Sequence, residues 1–204
     1  MFLIGCKSRQ EHSFYESSQN PITSTSDCDT LTCEEISLLR SGDIIMRQGR
    51  GAISLAISAH LNEKYKLSHC GILNIDSDSI NVIHTLSLSV SNTNGMQQST
   101  LNEFIDDTYK NSIIIVRLKN SDNNKIANKA KYYLAQKIPF DDYFDISDTT
   151  RFFCNELISH IIATEYNINF INAKADKIHN MQFGRFIDTA KFDIVINHQD
   201  INKQ

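Results

Sequence analysis

The spacing of apolar positions changes several times along the chain, and each change marks an element. Thr32 and Glu35 form a capping box that predicts a short helix reaching about Leu39 and ended by Ser41-Gly42. Asp43-Ile44-Ile45-Met46 reads as a first strand, Gly49-Arg50-Gly51 as a turn, and Gly51 to Leu61, with Ile53, Ala56, Ile57 and His60, as a helix. Leu67 to Ile75 and Ile80 to Leu86 are β-branched runs separated by Asp76-Ser77-Asp78-Ser79, which predicts a hairpin. A second capping box, Thr100 to Glu103, opens another short helix, and Ile113 to Leu118 is a strand. Asp122 to Lys137 has the helical period, with Ile126, Ala130, Tyr133 and Leu134 on one side and Pro139 closing it. Phe152 to Glu165 repeats that period through Leu157, Ile158, Ile161 and Ile162, and Phe192 to Ile196 reads as a last strand. The order predicts an α+β fold, an antiparallel sheet with packed helices.

The hairpin carries candidate chemistry. Strand alternation sends His69, Gly71 and Leu73 to one face and Cys70 to the other, where it reads as core. Pairing Ile75 with Ile80, or Asp76 with Ser79, sets His84 opposite Gly71 and diagonal to His69 on the same face. Gly71 puts no Cβ in the way, so a side chain at 84 can reach the imidazole at 69. A base histidine needs its second ring nitrogen held by such a neighbour, which fixes the tautomer. Cys154 falls in the first turn of its helix, where the dipole and unpaired backbone donors favour thiolate and can bind an oxyanion. The plainer alternatives are a small buried hydrophobe at Cys154 and hydrogen-bonded strand residues at His69 and His84.

Other polar residues read as structural. Glu156 projects about 200° from Cys154 around the helix and reads as a first-turn charge favoured by the dipole, not as a catalytic acid. Asp43 either lines a site or accepts backbone bonds at a turn, and the second is the commoner use of a short carboxylate. His160 and Asp141 read as structural. Leu55, Ile57 and Phe183 fit either an apolar acyl pocket or ordinary core.

Composition narrows the class. The chain has 204 residues, 41% hydrophobic and 22% charged, enough for one domain and a tail. A formal net charge of -4 without a basic stripe argues against nucleic acid as a partner. The cysteines, Cys6, Cys28, Cys33, Cys70 and Cys154, form no pair or cluster with zinc-ligand spacing, so neither a metal nor an organic cofactor is expected. Cys28 and Cys33 fit either a disulfide in an exported protein or two separate thiols. No apolar run approaches the roughly eighteen residues of a membrane-spanning helix. Leu3-Ile4-Gly5-Cys6 resembles a bacterial lipoprotein cleavage box, although Met1 to Ile4 is too short for a signal core. Cys6 is therefore either a lipidated residue, with Met1 internal to the signal, or an ordinary residue of the terminus. Lys7 to Asp27 is polar and Ser-rich, suited to a flexible tether. The organisation read here is a tether over 1–30 and a globular domain over 31–204.

Gly42-Asp43-Ile44-Ile45, then Ser68-His69-Cys70-Gly71-Ile72, Val82-Ile83-His84 and Phe153-Cys154-Asn155-Glu156-Leu157-Ile158 resemble, in that order, the permuted papain-like cysteine hydrolases of the NlpC superfamily, YiiX/YaeF type. The resemblance runs from about Leu39 to Ile162, and Pro139-Phe140-Asp141 adds to it. It implies a circularly permuted papain-like fold, with Cys154 as nucleophile, His69 as base and His84 as the orienting residue. It further implies an amidase, peptidase or acyl hydrolase acting on a small peptide, a glycopeptide or a lipid. The sequence departs from the family where His84 replaces a frequent Glu, and where Phe153, Asn155 and Phe140 replace frequent Tyr, Ser and Tyr. A lipidated Cys6 would attach the domain to a membrane of the cell envelope; an ordinary Cys6 leaves a cytoplasmic location open. The competing class is a non-catalytic envelope lipoprotein module that binds a peptide or glycan.

Overall fold

The computed structural model describes residues 30–201 apart from 78 and 173, so Cys6, Cys28 and the tether before residue 30 lie outside the described residues. Helix α1 (Cys33–Leu38) starts at the capping box, with Thr32 Oγ1 accepting from Glu35 N and Glu35 accepting from Thr32 N. Strand β1 (Ile44–Arg47) and helix α2 (Ala52–Leu61) precede the hairpin of β2 (His69–Asp76) and β3 (Ser79–Leu86). Then come β4 (Gly95–Thr100), α3 (Leu101–Asp106), β5 (Ile114–Leu118), α4 (Asn124–Ala135), α5 (Cys154–Tyr166), α6 (Lys177–Met181), β6 (Phe192–Asn197) and α7 (His198–Ile201).

The strands form one six-stranded antiparallel sheet in the order β4-β3-β2-β1-β5-β6. Cys70 to Asn74 of β2 are buried without alternation, because helices cover both faces of the sheet. On one face Ile44, Met46, Cys70, Ile72 and Ile83 pack beneath Leu157, Ile158, Ile161 and Ile162 of α5 and Ile126 and Ala130 of α4. On the other, Ile45, Leu73 and Val82 pack against Leu101, Phe104 and Ile105 of α3. Each large apolar side chain buried under α5 contributes about 1.5–3 kcal/mol, and together they fix the helix and hence its first residue, Cys154.

The hairpin closes in the anticipated register, Ile75 opposite Ile80 and Asp76 opposite Ser79. Strand β4 and helix α6 have no counterpart in the sequence reading. Strand β4, Gly95-Met-Gln-Gln-Ser-Thr, is a polar edge strand without a β-branched apolar run, and tertiary contact sets its start. Gly95 has φ +87°, Met96 N donates to Ile138 O, and a Cβ at 95 would lie 2.2 Å from that same oxygen. Helix α6 is five residues long, too short to show a period, and is capped by Asp176, which accepts from His179 N.

Candidate active site

Register places the two histidines together. Ile72 faces Ile83, so one step along the hairpin sets Gly71 beside His84; a Cβ at 71 would lie 2.4 Å from Val82 Cγ1 and 3.2 Å from His84 Cβ. The room left by that glycine lets His69 Nε2 meet His84 Nδ1 at 3.0 Å. His84 Nε2 in turn meets Ser99 Oγ on β4 at 2.8 Å. Both imidazoles are buried, and the Phe104 ring packs beside them with centroids 5.5 and 5.4 Å away. Burial, then the neighbouring His84 and the Arg47 guanidinium, hold His69 well below the usual histidine range. Burial and then Arg47 push His84 down to about 4. Both rings are therefore neutral near neutral pH, and each carries one N–H.

Cys154 opens α5, with Phe153 as an extended N-cap at φ -87° and ψ 170°. The half-buried thiol sits beside Cys70, the residue that follows His69. The Cys70 thiol hydrogen-bonds toward it and, against the effect of burial, the N–H groups of Asn155, Cys70 and Cys154 also pull its pKa below the ordinary thiol value. Cys70 is pushed well above that value, first by burial and then by Cys154, and so stays protonated as the donor of the pair. Cys70 is thus core, as anticipated, and also a neighbour of the nucleophile candidate; its place on the face opposite His69 hid that second contact from pattern reading.

Cys154 and His69 border one cavity, whose further walls include Arg47, Ser68 and Asp107. His84 stands behind His69. Arg47, opposite His69 on β1, is held by Asp107 at 2.9 Å and lies 4.7 Å above Phe104. The rest of the wall is apolar along Ile53, Ile57, Leu61, Phe140, Phe144 and Phe183, with polar side chains at Ser54, Thr85, Ser87, Ser89, Asp142 and Asn155. Ile57 and Phe183 therefore line the cavity, whereas Leu55 does not and is 39% exposed. The Phe183 side is clamped, because Asn155 Nδ2 donates to Met181 O and Gln182 O while the Glu63 carboxylate accepts from Phe183 N and Gly184 N at 2.8 and 2.7 Å.

Asp43 lies away from the cavity. Its carboxylate accepts from Arg40 N at 2.8 Å and from Arg117 Nε and Nη2 at 2.7 Å each, the turn-acceptor role with an ion pair added. Asp141 accepts from Tyr143 N and Asp145 N, and His160 stacks between Phe152 and Tyr133. Cys33 is disulfide-bonded, and Cys70 and Cys154 are free. Among the described residues no helix is long and apolar enough to cross a membrane.

Glu156 corrects the sequence reading. It does lie in the first turn, but it is not held there as a charge: it is 3% exposed, accepting from Phe153 N at 3.2 Å, and burial, with Asp141, Asp145 and Asp148 nearby, pushes its pKa up to about 8. A carboxyl whose folded pKa lies above its unfolded value stabilises the fold fully below the unfolded pKa, near 4.5, and loses that contribution as pH rises through about 8. Wild-type Tm should therefore fall by several degrees between about pH 6 and pH 9, and Glu156→Gln, which keeps an acceptor for Phe153 N, should flatten that slope. Parallel slopes in thermal melts of the two proteins would refute the assignment.

A family model described as permuted papain-like amidase enzyme, YaeF/YiiX, C92 family, matches residues 38–185. The chain also resembles the crystal structure of YiiX from Escherichia coli O157:H7, titled a metalloprotein, with a TM-score of 0.58 and 16% identity over 78% of this chain and 97% of that one. No curated protein matches the sequence. Among the described residues, no three His, Cys, Asp or Glu side chains are placed to share a metal ion.

Proposed function

The chain belongs to the permuted papain-like amidases of the YaeF/YiiX, C92 family, and on that premise we propose that it is a cysteine hydrolase working through an acyl-enzyme on Cys154. One observation carries the reading: His69 Nε2 is engaged by His84, which leaves Nδ1 as the ring nitrogen available to the thiol that shares its cavity. In the first step the Cys154 sulfur attacks a carbonyl carbon and its proton passes to His69 Nδ1. The carbonyl oxygen, now anionic, is met by first-turn N–H groups of α5, which have no acceptor within the helix. The intermediate collapses, the carbon–nitrogen or carbon–oxygen bond breaks, and the amine or alcohol leaves with the proton from His69. Water, deprotonated by the same nitrogen, then hydrolyses the thioester and restores the thiol.

The apolar wall favours a substrate with a hydrocarbon acyl group over a glycopeptide, because Ile53, Ile57, Phe140, Phe144 and Phe183 offer surface that a sugar or charged peptide would leave unused. Lipidation of Cys6 would hold such an enzyme beside a membrane-borne substrate. Incubation with p-nitrophenyl esters and anilides of two-, eight- and fourteen-carbon acids, quenched in acid and mapped by mass spectrometry, tests the scheme. The acyl mass should appear on the Cys154 peptide and accumulate faster with the longer chains. Acylation elsewhere, or none, overturns the mechanism; equal rates at all lengths overturn the acyl preference alone.

A further inference from the structure

We propose that Cys154 and Cys70 form a reversible disulfide when the cavity admits a peroxide, Cys70 acting as the resolving thiol that keeps Cys154 recoverable. The inference concerns the two sulfurs alone and does not depend on which base serves Cys154. Cys70 and Cys154 are the free cysteines among the described residues, and Cys33 is held in a disulfide. The pair meets where the start of β2 reaches the start of α5: the Cys70 thiol donates to the Cys154 sulfur, and the Cys70 backbone N–H points to the same sulfur. Both elements are held in place. Cys70 sits opposite Met46 of β1 and packs in one cluster with Leu157 and Ile158 of α5, and Cys154 rests against that cluster.

The two sulfurs differ in what can reach them. Cys154 is half-buried and borders the cavity, whereas Cys70 is 1% exposed beneath α5. A peroxide entering the cavity therefore meets Cys154 first, and the hydrogen bonds from Cys70 and from backbone N–H groups favour its thiolate, the form that reacts. The Cys154 sulfur attacks one peroxide oxygen, the oxygen–oxygen bond breaks, and a sulfenic acid forms while the remaining oxygen leaves as water or an alcohol. In an open cavity that sulfenic acid would take a second peroxide oxygen and become a sulfinic acid, which thiols do not reduce. Here a second thiol already touches it. The Cys70 sulfur displaces the hydroxyl, the sulfur–sulfur bond forms, and the Cys70 proton leaves with the hydroxyl as water. Each sulfur has then given up one electron, so a single equivalent of peroxide completes the change. Burial, and after it the neighbouring Cys154, hold the Cys70 thiol protonated beforehand. Conversion of Cys154 to a neutral sulfenic acid removes the second of these effects just when Cys70 must react. Contact already in place gives this step the advantage of proximity over a second encounter with peroxide. Closing to a bond of about 2.05 Å needs the Cys154 side chain to turn from the cavity toward Cys70. The oxidised chain has no free nucleophile, and a thiol reductant restores it.

The test treats the folded full chain with one equivalent of hydrogen peroxide, blocks remaining thiols with iodoacetamide in denaturant, and maps unreduced peptides by mass spectrometry. The peptides that carry Cys70 and Cys154 should appear joined, lighter by two hydrogens than their sum, and dithiothreitol should return Cys154 to full alkylation. In Cys70→Ala the joined species should be missing, dimedone should trap a sulfenic acid on Cys154, and excess peroxide should carry it to the sulfinic acid. The share of Cys154 that dithiothreitol recovers after excess peroxide should then fall about 10-fold below wild type. Cys154→Ser should leave Cys70 unoxidised, since the peroxide reaches it only through Cys154. Wild-type Cys154 found as sulfinic acid with Cys70 alkylated, or joined to any other cysteine, would overturn the proposal, and so would equal recovery in a folded Cys70→Ala. The wild-type map needs no variant, so a Cys70→Ala that fails to fold leaves the proposal open to refutation. Loss of the disulfide with acyl-enzyme on Cys154 intact sinks this inference alone, whereas a disulfide in a chain that forms no acyl-enzyme sinks the hydrolase reading alone.

Discussion

Cys154→Ala should lower turnover of any cleaved amide or ester by about 10⁴-fold or more, and His69→Ala should do nearly as much. The sulfur forms the covalent bond, and His69 Nδ1 is the proposed acceptor of its proton. Because the two act in one step, Cys154→Ala/His69→Ala should be little worse than either single variant. Neither change should unfold the chain. The Cys154 side chain is small and borders the cavity, and the core stripe of α5 lies further along at Leu157, Ile158, Ile161 and Ile162. Steady-state rates alongside thermal melts decide the matter: more than a tenth of wild-type turnover in well-folded Cys154→Ala would remove the acyl-enzyme on that sulfur.

Much of this arrangement was legible in the sequence because local rules agreed with the global fold. The turn chemistry at Asp76 to Ser79 set the hairpin register, and the register, with Gly71 to make room, placed His84 on His69. The capping boxes at Thr32 and Thr100 located α1 and α3, and the period of four apolar residues located α5. What escaped was what depends on distant contacts. Ser99 lies on a polar edge strand that no pattern marks, and it reaches His84 only because β4 pairs with β3. Cys70 alternates away from His69, so alternation alone assigns it to core; its contact with Cys154 arises where the start of β2 meets the start of α5. Glu156 was placed correctly on its helix, yet its neutral state comes from packing against the loop that carries Asp141, Asp145 and Asp148, which no helical wheel contains.

Asp43→Ala should cost the fold about 3–5 kcal/mol, the largest stability loss expected from a single polar residue here. Asp43 is fully buried and joins three segments: it accepts from Arg40 N just after α1, immediately precedes β1, and holds both Nε and Nη2 of Arg117 on β5. Arg117 is itself only 17% exposed, and its other partner is Leu38 O at 2.8 Å. Alanine would leave a guanidinium largely out of water without its counter-charge, together with an unpaired amide at Arg40, and that uncompensated charge sets the magnitude. Asp43→Asn keeps one acceptor and the side-chain volume, so its loss should be smaller. Replacing both partners, Asp43→Asn with Arg117→Met, should recover part of the alanine deficit, because no buried charge is then left alone. Urea unfolding of the four proteins measures this directly, and a loss under about 1 kcal/mol for Asp43→Ala would show that the pair is not what ties α1 to the sheet. Cys154 alkylation at 10 °C separates the two uses of this carboxylate: folded Asp43→Asn should label at the wild-type rate, since Asp43 does not border the cavity, and slowed labelling would return it to the site.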